Sequence, residues 1–198
     1  MKAWIGAAVM AAMALPVSLP VWAAEKGDDG LYKEPFMHDT FKDLREDLGE
    51  ANAAGKRFVL MFEQNGCIYC HQMHEEVYSD PELSQFIDEN FFVVQLNLHG
   101  DTEVTDLDGE VLSEKQMARK WRVLFTPSVV FLPEEVAEGT SAVDAAVAIM
   151  PGAFGKGTTR DMYTWVLEKR YDMEAETGED FQRYHARRIQ ERSNGSTD

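Results

Sequence analysis

The chain has 198 residues, with Lys+Arg 19 against Asp+Glu 35 and a formal net charge of -16. At 44% hydrophobic residues, with 14 Gly and 7 Pro, its composition is neither disordered nor fibrous, and its length suits one domain with trimmings. The acidic excess argues against nucleic acid and anionic membrane surfaces, because phosphate contacts need Lys and Arg, and two cysteines exclude a disulfide-stapled miniprotein.

In chain order, residues 1–23 read as a secretory signal peptide. Lys2 gives a positive start, residues 5–15 are uncharged and rich in Ala and Met, and Pro16 and Pro20 interrupt any helix. Val21-Trp22-Ala23 ends on the small residue a signal peptidase accepts, so cleavage is expected after Ala23. The competing reading is an uncleaved anchor over residues 3–24. No later segment is apolar for long enough to cross a bilayer, and the mature chain is expected to be soluble in a compartment where cysteines oxidise.

Residues 24–37 look like a polar lead-in. From 38 to 53 the apolar residues Phe41, Leu44, Leu48 and Ala51 recur every three or four positions and predict an amphipathic helix. Phe58-Val59-Leu60-Met61-Phe62 is a continuous apolar run of strand length, closed by the turn Glu63-Gln64-Asn65-Gly66. Residues 67–78 predict a helix, and Pro81 starts another with Leu83, Phe86 and Ile87 on one face. A second apolar strand covers 91–98. Asp108-Gly109 predicts a small hairpin over 104–112, and a short helix follows over 113–121. Strands are expected over 128–132 and 146–150, then a helix over 159–171. Residues 172–198 read as a charged tail, helical through Phe181, Tyr184, His185 and Ile189 and frayed beyond. With no repeat and no second core, the order predicts a single α/β domain over 38–171.

The chemistry centres on Cys67-Ile68-Tyr69-Cys70-His71. A structural disulfide there closes a loop of four residues and gains only about 2 kcal/mol on the chain-entropy account. A redox pair explains the spacing better: Cys67 at a helix start has its thiolate stabilised by free N–H groups, and Cys70 lies one turn on, placed to resolve a mixed disulfide. The same five residues satisfy C-x-x-C-H, the attachment motif of c-type haem, with Met73, Met117, Met150 or Met162 as conceivable distal ligands. Against haem stand three strongly apolar strands around the motif. Zinc held by Cys67, Cys70, His71 and His74 is disfavoured, because four ligands within eight residues of one helix do not surround an ion. His71 and His74 otherwise read as a helix-surface pair. The acidic run over 101–110 misses the EF-hand spacing and reads as a solvated loop.

With the strand before the cysteines and Phe125-Thr126-Pro127-Ser128-Val129-Val130-Phe131 after them, the chain resembles the thioredoxin superfamily over roughly 58–171. The resemblance implies a thioredoxin fold, a central mixed sheet flanked by helices, here with an N-terminal helix and a C-terminal helical tail. It implies a cis proline at Pro127 facing the pair, and Ile149-Met150-Pro151-Gly152-Ala153 fits the closing strand and helix. Cys67 would then attack and Cys70 resolve, Thr126 and Pro127 would present backbone to a substrate strand, and no cofactor or metal beyond the Cys67–Cys70 disulfide is implied. Residues 67–74 and Thr105-Asp106-Leu107-Asp108-Gly109 are most similar to exported members, namely the periplasmic thioredoxins of bacterial sulfur-oxidation (Sox) systems and, more distantly, the DsbC/DsbG isomerases. That likeness implies a periplasmic thiol–disulfide oxidoreductase, reducing protein disulfides with electrons from a membrane thiol transporter of the CcdA/SoxV type. Two positions depart from the family. Its buried acid, six residues before the first cysteine, falls on Met61, with Glu63 the only substitute nearby and expected to be solvated. Its aromatic residue before that cysteine is Gly66. Residues 24–39 are too short for the isomerases' dimerisation domain.

Overall fold

A computed structural model describes residues 25–195; the expected signal peptide and its cleavage point lie outside the described residues. The chain opens with the short antiparallel pair β1 (Glu25–Lys26) and β2 (Tyr32–Lys33), then β3 (Met37–His38). Helix α1 (Leu44–Ala53) leads into β4 (Arg57–Glu63), after which α2 (Ile68–Met73) passes directly into a π-helical turn over His74–Tyr78. Next come α3 (Pro81–Asn90), β5 (Phe91–Asn97), the hairpin β6 (Glu103–Thr105) and β7 (Val111–Ser113), and α4 (Glu114–Lys120). Strand β8 (Ser128–Phe131), the single turn α5 (Ala142–Ala145) and β9 (Ala148–Pro151) complete the sheet, and α6 (Lys156–Leu167), α7 (Arg170–Thr177) and α8 (Phe181–Gly195) follow.

The main sheet has strand order β3-β5-β4-β8-β9. Parallel pairs β3–β5 and β5–β4 meet antiparallel β4–β8 and β8–β9, so the sheet is mixed. β4 sits at its centre and is apolar from Phe58 to Phe62 because both of its faces are covered. Alternation then sorts the strand: Val59 and Met61 face a core shared with Met73, Val77, Ile87, Tyr163 and Val166. Phe58, Leu60 and Phe62 face a second core shared with Leu44, Leu48, Met117 and Trp121. Helices on both faces of a central mixed sheet make this the α/β architecture expected.

Several expected boundaries move, each for a local reason. The helix predicted from 38 begins only at Leu44. Met37 and His38 are taken up as an edge strand, and Asp43 caps α1 by accepting from the N–H groups of Arg45 and Glu46. Phe41, counted into the apolar face, is instead 98% exposed. The lead-in is part of the fold, with Phe36 fully buried in the core. The helix predicted over 159–171 stops at Leu167, because Lys169 takes a left-handed conformation at φ 52 before α7. The tail is packed down: Tyr184 is buried, and α8 continues to Gly195. The acidic run is not simply solvated. Asp106 is buried, accepting from Trp121 Nε1 at 2.8 Å and from the Ala142 N–H at 2.8 Å.

Candidate active site

The redox motif is delivered by the central strand. β4 ends at Glu63, and the turn through Gly66, whose φ of 75 suits glycine, aims the chain into α2. Cys67 is the N-cap residue of that helix: its Sγ accepts from the Cys70 N–H at 3.0 Å. Cys67 and Cys70 are joined in a disulfide. Their exposures differ, 9% for Cys67 and 1% for Cys70, so Cys67 is the sulfur a partner can reach.

Thr126 faces it from the start of β8. Its Oγ1 donates to Cys67 Sγ at 3.3 Å, and its carbonyl oxygen lies 3.4 Å from the same sulfur. The Thr126–Pro127 peptide is cis, and the Pro127 carbonyl accepts from the Gly152 N–H at 2.7 Å, tying this loop to the end of β9. Ile68, Tyr69, Leu124 and Phe125 stand exposed around the disulfide. They border a groove of about 630 Å³ that runs past Met73 to Phe154 and Lys156. An accessible disulfide beside the Thr126 backbone and an apolar rim suits exchange with an extended thiol-bearing chain.

Beneath this surface lies a set of charged groups that sequence reasoning placed in solvent. Glu63 is buried, not solvated. Its Oε1 is 2.8 Å from His74 Nε2, and its Oε2 accepts from Gln95 Nε2 at 2.6 Å. His74 has no exposed surface, and its Nδ1 meets Glu34 Oε1 at 2.7 Å. Burial of the ring lowers its pKa, but the hydrogen bonds and charges of Glu34 and Glu63 outweigh that and push it up to about 9. His74 therefore leaves the helix-surface pair expected for it, whereas His71 stays exposed and meets the Tyr32 hydroxyl at 2.7 Å. Met61, at the family's acid position, is an ordinary core residue. One signal was present in the sequence: Gln95 interrupts an otherwise apolar strand, and a buried amide needs partners. It pairs beside β4 in the register Met61↔Gln95, which places it next to Glu63.

The four candidate zinc ligands do not converge, since the two sulfurs bond each other and the two imidazoles turn to Glu34, Glu63 and Tyr32. Covalent haem would need both thiols as thioethers and His71 as axial ligand; here the thiols are paired and His71 is turned to Tyr32.

A mixed sheet whose central strand feeds an accessible Cys-x-x-Cys disulfide at a helix start defines a thiol–disulfide oxidoreductase of thioredoxin fold. The chain belongs to the thioredoxin-like domain family, whose sequence model matches residues 44–146. Among solved structures it is similar to a thioredoxin-fold protein from Helicobacter pylori, at 19% identity and TM-score 0.56 over 71% of this chain and 86% of that one. It is similar also to a thioredoxin from Thermus thermophilus, at 25% identity and TM-score 0.50 over 64% of this chain and 85% of that one. No curated protein matches.

Proposed function

We propose that the chain is an exported, periplasmic reductant of protein disulfides, of the kind that serves sulfur-oxidation systems. The observation that carries the disulfide-exchange reading is the asymmetry of the pair: Cys67 is accessible beside the Thr126 backbone, and Cys70 is buried one turn behind it; the reducing direction rests on the Sox likeness. Export rests on the signal-peptide pattern of residues 1–23, and the Sox assignment on the likeness of residues 67–74 and 105–109.

In the reduced protein the Cys67 thiolate, held by the Cys70 N–H, attacks one sulfur of a client disulfide. A Cys67–client bond forms, and the other client sulfur leaves as a thiolate that takes up a proton. Cys70 then gives up its proton and attacks Cys67 Sγ, forming the disulfide seen here and releasing the second client thiol. Two electrons and two protons pass to the client. Thr126 and Pro127 offer the backbone edge along which the client strand lies. No cofactor beyond the Cys67–Cys70 disulfide takes part, and a CcdA/SoxV-type membrane thiol transporter returns the pair to the dithiol.

The test is trapping in the exported protein. Cys70→Ser should accumulate mixed disulfides with client proteins on non-reducing gels, and Cys67→Ser should accumulate none. Equal trapping by both, or the reverse pattern, contradicts the assigned roles.

A further inference from the structure

The segment that carries the disulfide is closed at both ends by one buried contact. Glu63 stands four residues before Cys67 and His74 four residues after Cys70, and their side chains meet at 2.8 Å. The His74 N–H donates to the Cys70 carbonyl, so His74 lies one helical turn beyond Cys70, a spacing that brings side chains within roughly 5–6 Å at Cβ. Disulfide exchange as written above uses neither Glu63 nor His74.

The third member comes from outside the matched domain. Glu34 follows β2, and the strap Tyr32-Lys33-Glu34 is tied to the redox helix and to β5 at every residue. Tyr32 stacks on His74 with centroids 4.8 Å apart and its hydroxyl meets His71; its carbonyl accepts from Gln95 Nε2 at 2.8 Å. Lys33 Nζ donates to Gln95 Oε1 at 2.7 Å, and Glu34 closes on His74. Two carboxylates around one imidazolium leave one net negative charge. Lys33 directs its ammonium to Gln95 and to Asp29. The remaining ring against His74 is Tyr78, edge-on at 5.5 Å and with its hydroxyl proton held by burial. Glu34 and Glu63 are 6% and 1% exposed, so water screens this charge poorly.

We propose that the amino-terminal strap is a working part of the redox centre: Glu34, with Glu63 and His74, holds a net negative charge out of water one turn from Cys70 and thereby biases the pair toward giving up its electrons. The inference rests on the oxidoreductase reading and adds the residues that set its direction. A second negative charge, the Cys70 thiolate, is disfavoured beside the first. The reduced protein then gains little from ionising, and a dithiol without that stabilisation is the stronger reductant. Glu34, Glu63 and His74 are positioning residues here, since none touches the client.

The experiment is redox equilibration with glutathione at about pH 9.5, where Cys70 ionises, of the wild-type chain, Glu34→Gln, Glu63→Gln and the control Glu89→Gln on the exposed side of α3. Removing one carboxylate charge should shift the equilibrium constant several-fold toward the dithiol, up to about tenfold or roughly 30 mV, with Glu89→Gln unchanged. Should Glu63→Gln fail to fold, Glu34→Gln carries the comparison. Thiolate absorbance of the reduced wild-type chain supplies an independent reading: the second thiolate should appear only above the usual cysteine pKa of about 8.5, and lower in Glu34→Gln. Shifts under twofold in both variants, or shifts toward the disulfide, overturn the strap's role while leaving the oxidoreductase intact. A wild-type pair that does not equilibrate with glutathione at all overturns the oxidoreductase reading, and the strap's role with it.

Discussion

Glu34, Glu63 and His74 meet in buried contacts at the end of the redox helix, and the protonation of His74 makes stability depend on pH. The His74 pKa rises from 6.5 to about 9 on folding, so its contribution is complete below about pH 6.5 and is lost as pH climbs through 9. Asp47 acts in the same direction. Burial pushes its carboxyl up to about 6, so ionising it costs the folded state as pH rises through that value. Unfolding free energies from denaturant titrations at pH 5 to 10 should therefore fall as pH rises, by on the order of 4 kcal/mol in all; a flat or rising profile contradicts the buried triad. His74→Leu removes the cation between two buried carboxylates and should cost about 3–5 kcal/mol at pH 7, read from the same titrations. A loss under 1 kcal/mol would mean that the triad is not closed in solution.

The elements themselves were mostly legible, and the reasons separate cleanly. β4, β5 and β8 are buried on both faces and so appear as apolar runs, and Asp80-Pro81 announces α3 by cap and first-turn proline. What periodicity could not show was where a helix yields to a competing partner. Phe41 fits the α1 stripe by spacing, yet Met37 and His38 gain more by pairing with Val93 and Val94, which forces the helix to start after Asp43. The cap is testable: Asp43→Ala leaves the N–H groups of Arg45 and Glu46 unsatisfied and should lower stability by about 1 kcal/mol, measurable as a shift in denaturant midpoint with unchanged slope. The site was legible in part. The cysteine pair and Thr126-Pro127 stand out as motifs, and the structure brings Thr126 to 3.3 Å of Cys67. Glu34, Glu63 and His74 carry no motif, because each looks like a surface residue until a strand end, a strap and a helix turn close over them. Only Gln95, polar within an apolar run, marked the place.

At the scale of the molecule, the carboxy-terminal helix belongs to the fold although the matched family domain ends at 146. Asp161 on α6 is fully buried and is met from α8 by Arg192, whose guanidinium neutralises it through two bonds of 2.8 and 2.9 Å, and by His185 Nδ1 at 2.6 Å. Tyr184 closes the core beside it. A chain ending at Gly178 strands that carboxylate and should lose about 3–5 kcal/mol, seen as a melting temperature lower by roughly 10 °C or more; an unchanged melting temperature would show α8 to be an appendage. The whole arrangement, a rigid mixed sheet presenting one accessible sulfur beside a backbone edge, exists on this account to exchange disulfides. The measurement that tests this most directly is the rate at which the purified chain reduces a protein disulfide at pH 7 with dithiothreitol as electron source. Wild type should accelerate the reduction at least tenfold over dithiothreitol alone, and folded Cys67→Ser should return it to background. A folded wild-type chain that gives no acceleration, or one that keeps a Soret band after denaturation, would contradict the account.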